Sequence, residues 1–133
     1  MEVKAEVKFL EGDKFDINIP FSNLDLYIDK RKENHSPSGP NSLELFISSL
    51  GGCIGVYAKS YLTRHHIEFN ELKVSVNAEL SKNTPLRLVN IKVRVSTDTD
   101  LGDNREVFLR FIKNCPIHNT ILYAQEPSID LES

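Results

Sequence analysis

The residues of this chain best suited to covalent chemistry are its two cysteines, Cys53 and Cys115. A thiolate is a nucleophile and a metal ligand, and two thiols can close a disulfide. The cysteines stand about 60 positions apart, which matches no zinc-ligand spacing, and no second local pair completes a four-ligand set. We therefore expect neither a structural metal nor a bound cofactor, and a two-cysteine redox site is one hypothesis among several.

The sequence context of each cysteine also allows a purely structural role. Cys53 falls on the apolar face of a predicted helix, where a buried cysteine acting as a small hydrophobe is the simpler interpretation. Cys115 precedes Pro116 at the predicted junction of two helices, where helix amides favour a thiolate, but it too can cap or pack. His118 could serve as ligand or base, although a surface histidine is the commoner outcome.

Composition and charge narrow the class of protein. The 133 residues carry 16 basic and 19 acidic side chains, with 40% hydrophobic residues. This length predicts a single domain over residues 1–133, and the mild negative charge disfavours a nucleic-acid partner. The first eight residues lack the pattern of an export signal, and the apolar stretch Leu45–Ala58 is shorter than the roughly 20 residues of a membrane span. We expect a cytoplasmic protein with no membrane partner.

Hydropathy periods predict the elements that must position the cysteines. Alternation of apolar and polar residues predicts a hairpin, a third strand, a second hairpin and a last edge strand near Ile129 and Leu131. The first hairpin covers 3–9 and 15–19, the third strand covers 24–28, and the second hairpin covers 72–80 and 89–95. Three- and four-residue steps predict a long helix from about Asn41, capped by Asn41 and Glu44, to about Arg64. Shorter helices follow over 107–112, capped by Asp103 or Asn104, and from Pro116 to Tyr123. Local hairpins around a long helix indicate an α+β fold with antiparallel pairing.

Three glycines, Gly51, Gly52 and Gly55, lie inside the predicted long helix. Each costs about 1 kcal/mol relative to alanine there, so a compensating contact is expected. Small residues four positions apart let another backbone approach closely, which we interpret as packing against a second helix. One candidate is the same helix of another subunit across a two-fold axis, which predicts a homodimer.

Two motifs make the chain resemble the OsmC/Ohr proteins, a family associated with osmotic induction and organic hydroperoxide resistance. The first is Asn41-Ser42-Leu43-Glu44-Leu45-Phe46 leading through Gly51-Gly52-Cys53, and the second is Cys115-Pro116-Ile117-His118-Asn119-Thr120. The similarity covers nearly the whole chain. It implies an OsmC-like fold in which an antiparallel sheet accompanies a long central helix and two chains intertwine, with active sites at the dimer interface.

The resemblance also implies a reaction cycle. In the peroxidase branch of the family, the cysteine that matches Cys53 attacks the hydroperoxide and becomes a sulfenic acid. The cysteine that matches Cys115 then closes a disulfide, which a dithiol reductant, typically lipoyl-linked, reduces again.

The chain differs from those peroxidases at the residues that favour the thiolate form of the attacking cysteine. Family peroxidases use an arginine from the N-terminal strands, held by a glutamate near the start of the long helix. No arginine precedes Arg31, and Leu43 stands where that glutamate is expected. Glu44 lies about 100° around the helix, and Lys14 lacks the planar fork of arginine. We therefore expect a member outside the best-defined peroxidase branch.

Two functions remain in view. The first is a cysteine-dependent peroxidase for small or organic hydroperoxides, with Cys53 peroxidatic and Cys115 resolving. The second, motivated by the missing arginine and glutamate, is a non-catalytic homodimer whose interface binds a small apolar ligand.

Overall fold

The architecture comes from a computed structural model that describes residues 1–30, 32–34 and 36–132. Arg31, the first arginine of the sequence, lies outside the described residues. In chain order the elements are β1 (Glu6–Glu11), β2 (Lys14–Asn18), β3 (Leu26–Ile28), α1 (Ser42–Arg64), β4 (Leu72–Leu80), β5 (Leu88–Thr97), a 3₁₀ turn (Gly102–Asn104), α2 (Arg105–Ile112) and α3 (Pro116–Leu122). Antiparallel strands together with helices confirm the predicted α+β class.

The chain divides into two compact units, Met1–Ile47 and Ser48–Ser133. Each unit holds its own antiparallel sheet, of three strands in the first and two in the second. The single domain over residues 1–133 stays a prediction.

The first unit is built on a sheet with the strand order β1-β2-β3. Val7 pairs with Ile17 and Phe9 with Phe15 across β1 and β2, and Ile17 pairs with Leu26 across β2 and β3. Residues that stand directly opposite one another project to the same side of a sheet. These five apolar side chains therefore share one face.

The buried carboxylate of Asp29 holds Ser38 close to the end of β3. Its Oδ2 accepts hydrogen bonds from the backbone N–H of Ser38 at 2.9 Å and from the Ser38 hydroxyl at 3.2 Å. Gly39 follows, where a Cβ atom would lie only 2.1 Å from the backbone oxygen of Tyr27. Only glycine lets the two stretches of backbone approach so closely.

The start of α1 confirms the predicted capping. The Glu44 backbone N–H donates to Asn41 Oδ1 at 2.8 Å, and the Asn41 backbone N–H donates to Glu44 Oε1 at 3.1 Å. This reciprocal pair satisfies two amides that the first helical turn leaves without partners.

The core of the second unit forms where α1 packs against short helices and strands of that unit. Its buried side chains come from α1, α2 and the residue before α3: Leu50, Ile54, Ala58, Tyr61, Leu62, Phe108, Ile112 and Cys115. By length and composition α1 could cross a membrane, but core helices of soluble proteins pass the same test. Here the most buried side chains of α1 contribute to the core of the second unit.

The glycines of α1 face a strand rather than a second helix. A Cβ atom at Gly51 would lie 3.1 Å from Val76 Cγ2, and one at Gly55 would lie 3.6 Å from Val74 Cγ2, both on β4. The interpretation of Gly51 and Gly55 as a helix–helix contact is therefore wrong within the chain, because β4 fills the space above them. A Cβ at Gly52 would meet nothing within 4 Å.

Three smaller predictions need correction. Residues 124–132 form no strand; Ile129 and Leu131 are almost fully exposed, so they have no packing partner that could hold an edge strand. Asn104 stands at the N-cap position of α2, one of the two predicted, but its side chain makes no capping hydrogen bond, because the 3₁₀ turn runs directly into α2 and Asn104 Oδ1 accepts from the Tyr61 hydroxyl instead. The first and third strands are also shorter than predicted, since β1 begins at Glu6 and β3 at Leu26.

Leucine at Gly51 is expected to destabilise the protein more than leucine at Gly52. A leucine side chain at position 51 would collide with Val76, and overpacking of this kind costs about 1–3 kcal/mol. Gly52→Ala, by contrast, is expected to raise the free energy of unfolding by about 0.5–1 kcal/mol because alanine favours the helix. Urea unfolding of Gly51→Leu and the matched Gly52→Leu measures the difference, and equal stabilities would contradict the packing of Gly51 against β4.

Candidate functional site

Cys53 and Cys115 lie together in the second unit although they belong to different elements. Cys53 stands in the middle of α1 and is half-buried, whereas Cys115 immediately precedes α3 and is fully buried. Both are free thiols, and Cys53 packs against the core cluster that includes Cys115, close enough for Cys115 to raise its pKa. The fold therefore brings together the two residues that the sequence singled out for chemistry.

The first turn of α3 directs a backbone amide at each sulfur. The His118 N–H donates to Cys115 Sγ at 3.4 Å, and the Ile117 N–H lies near enough to Cys53 to lower the pKa of its thiol. Cys115 is thus the N-cap of α3 through its own sulfur. Pro116 occupies the first helical position, where a residue without an N–H leaves no hydrogen bond unmade. One helical turn therefore holds both thiols in place.

The surroundings of Cys53 raise the pKa of its thiol. Burial is the largest cause, because the thiolate loses hydration when it is removed from water. The neighbouring Cys115 raises the pKa of Cys53 further, while the Ile117 amide lowers it. Among the described residues, no cationic side chain lowers this pKa. Cys53 is therefore mostly protonated at neutral pH.

Glu44 and Lys14, considered from the sequence as substitutes for the family's glutamate and arginine, make contacts within the first unit. Glu44 forms the capping pair with Asn41. Lys14 Nζ lies 4.3 Å from the centroid of the Tyr27 ring, a cation–π distance. These contacts give both residues structural roles.

His118 was expected at the surface, and the structure corrects this expectation. The residue is half-buried, and its Nδ1 is buried without a hydrogen-bond partner among the described residues. The physical reason is that α3 packs Ile117 and Ile121 against the core, which turns His118 inward as well. The three-residue spacing from His118 to Ile121 was the available signal, because residues three apart share a helix face.

Two thiols in contact can interconvert between a dithiol and a disulfide, a two-electron couple. The described residues contain no group of three or more His, Cys, Asp or Glu side chains that could hold a metal ion. The geometry by itself therefore supports thiol–disulfide chemistry.

Known proteins with similar sequences and folds point to one family. Residues 34–132 match the family model described as OsmC-like protein. The hydroperoxide reductase of Mycoplasma genitalium is 25% identical over 127 residues, which cover 91% of this chain and 89% of that protein.

Solved structures resemble the fold over most of its length. The OsmC-like protein of Mycoplasma pneumoniae has a TM-score of 0.75 at 19% identity, covering 93% of this chain and 89% of that one. The organic hydroperoxide resistance protein OhrB of Bacillus subtilis has a TM-score of 0.59 at 19% identity, covering 88% and 89%. These similarities establish the OsmC-like fold. Together with the family match over most of the sequence, they show that this chain belongs to the OsmC-like protein family.

Proposed function

We propose that this protein is a thiol-dependent reductase of organic hydroperoxides in which Cys53 attacks the peroxide and Cys115 resolves the product. The single observation that carries the proposal is that Cys53 packs against the core cluster of the second unit that holds Cys115, so that the two thiols are neighbours. The relative named hydroperoxide reductase supports the same substrate class. The sequence resemblance supports the assignment of the two cysteine roles.

The cycle balances with these two residues and one external dithiol. The Cys53 thiolate attacks the outer oxygen of the hydroperoxide, the O–O bond breaks, and the alcohol leaves after taking up a proton. Cys53 is then a sulfenic acid. The Cys115 sulfur attacks the Cys53 sulfur, the S–O bond breaks, and water leaves as the disulfide forms. A dithiol, which we expect to be lipoyl-linked, returns both cysteines to thiols and becomes a disulfide itself. We place this cycle in the cytoplasm, where structural disulfides are rare.

The arrangement of the site favours the second half of this cycle over the first. Contact between the sulfurs means that little movement is needed to close the disulfide. The raised pKa of Cys53, however, keeps most of the nucleophile protonated at neutral pH. Formation of the thiolate is therefore expected to limit the rate.

Cys53→Ser is expected to reduce dithiol-driven turnover of cumene hydroperoxide to the uncatalysed rate, because the attacking sulfur is removed. Cys115→Ser, the matched control, is expected to consume one equivalent of peroxide and to accumulate a sulfenic acid on Cys53. Peroxide assays and dimedone labelling with peptide mapping measure both outcomes. Turnover of cumene hydroperoxide by Cys53→Ser at the wild-type rate would contradict the proposal.

The pH dependence of Cys53 alkylation follows from its raised pKa. The thiolate is the reactive form, so the rate with iodoacetamide is expected to climb through pH 7 to 9 by up to about tenfold per pH unit. Cys115→Ala removes two causes of the raised pKa and is expected to move the profile to lower pH. Mass spectrometry of the Cys53 peptide reports the rate, with the urea-unfolded chain as reference. A rate that is already constant between pH 6 and 8 would show that the pKa is low instead.

We also propose that the functional unit is a homodimer. The apolar face of the first sheet supports this: Val7 and Phe9 are 55% and 58% exposed in the single chain, and Phe15 and Leu26 beside them are also exposed. An exposed apolar patch of this kind marks a surface that binds another protein. A second copy, joined by two-fold symmetry, is the partner that the sequence resemblance implies.

Phe9→Lys is expected to convert the dimer into monomers, because it places a charge in the centre of the apolar face. Glu6→Lys puts the same side chain on the opposite face of β1 and is expected to leave the dimer intact. Light scattering after size exclusion distinguishes the 15.1 kDa monomer from a species of twice that mass. A monomeric wild type, or a dimer unaffected by Phe9→Lys, would count against this interface.

A non-catalytic ligand-binding homodimer is the second candidate function. The specific observation in its favour is the raised pKa of Cys53, which no cationic side chain within residues 1–30, 32–34 and 36–132 lowers. Efficient peroxide turnover by the wild-type protein would exclude it.

A further inference from the structure

The second unit contains an apolar cavity that neither cysteine lines. Its volume is about 420 Å³, within the range of small-molecule sites. The apolar walls come from four elements: Leu50 and Ile54 of α1, Val93 and Val95 of β5, Phe108 and Ile112 of α2, and Ile121 and Leu122 of α3.

The polar side chains around this cavity are Arg105, Lys113 and His118, and no acidic side chain lines it. The excess of basic side chains at the cavity contrasts with the whole chain, in which acidic residues outnumber basic ones and the net charge is −3. The cavity therefore combines an apolar interior with a locally positive border.

The groups at this border lack internal partners. In the described part of the chain, the ion pairs are Lys4 with Glu6 and Lys32 with Asp13, so neither Arg105 nor Lys113 is neutralised by a carboxylate. The buried Nδ1 of His118 also has no hydrogen-bond partner there. A buried polar atom without a partner is costly, and an incoming polar group would remove that cost.

We propose that this cavity binds a straight-chain alkyl carboxylate. The alkyl chain lies among Leu50, Ile54, Phe108 and their neighbours, and the carboxylate lies at the border beside Arg105 and Lys113. A planar guanidinium matches a carboxylate through two parallel hydrogen bonds, which favours this head group. The site does not depend on the thiol cycle, because neither sulfur contributes to its walls.

Isothermal titration of the wild-type protein with decanoate, octanoate and 1-decanol tests the proposal. Each buried methylene contributes enough to strengthen binding about fourfold, so octanoate is expected to bind about fifteenfold more weakly than decanoate. The uncharged 1-decanol is expected to bind more weakly than decanoate because it lacks the head group. No peroxide is present, so the result is independent of the proposed reductase activity.

Variants at the border identify the carboxylate site. Arg105→Gln and Lys113→Gln are each expected to weaken decanoate binding about three- to tenfold, as expected for a partly exposed charged hydrogen bond. Arg110→Gln is the matched control, because Arg110 lies on the same helix as Arg105 but does not line the cavity. Its affinity is expected to remain that of the wild type.

Four results would overturn the proposal. The first is no heat of binding with decanoate below its micelle concentration. The second is equal affinity for 1-decanol and decanoate, and the third is an equal loss in Arg110→Gln and Arg105→Gln. If a second copy of the chain covers the cavity instead, Leu122→Glu at its edge dissociates the dimer and decanoate does not bind, which also overturns it.

Discussion

The candidate site depends on one contact, that between the sulfurs of Cys53 and Cys115. Cys53 is fixed by the middle of α1, and Cys115 by its place as the N-cap of α3. The His118 N–H donates to the sulfur of Cys115, and the neighbouring Ile117 N–H lowers the pKa of Cys53, so both thiols lie against the first turn of α3. Because residues of α1 and α3 pack in or against the same core cluster, the close packing of that core helps to hold the two thiols together.

The same burial that creates this contact works against ionisation. Removing a thiolate from water raises the pKa of Cys53, and the neighbouring sulfur raises it further. A pair held in this way is well arranged to close a disulfide and poorly arranged to begin a nucleophilic attack. The absence of an arginine before Arg31 in the sequence is consistent with this balance. Chemistry at the site therefore depends on how readily Cys53 loses its proton, more than on how the two sulfurs reach each other.

Local signals in the sequence predicted the elements, whereas the partners of those elements depended on the fold. The capping pair of Asn41 and Glu44 and the helical period that follows it predicted α1 almost to the residue, because both are properties of neighbouring positions. The glycines predicted a close approach but not its partner, since a stripe of small residues admits a strand as well as a helix. Alternation near Ile129 predicted a strand that does not form, because pairing requires a neighbour that the period cannot reveal.

The candidate site, like the fold, could be predicted from the sequence only where local spacing determines it. Helical spacing placed Cys53 on the apolar face, but only the family resemblance linked it to Cys115, because their contact is made by tertiary packing. The inward turn of His118 was missed although its three-residue spacing from Ile121 placed both on one face of α3. The most direct test of the account treats the reduced protein with one equivalent of cumene hydroperoxide and maps its peptides without reduction. We expect a disulfide between Cys53 and Cys115 within single chains; two unmodified thiols, or a bond between chains, would contradict the account.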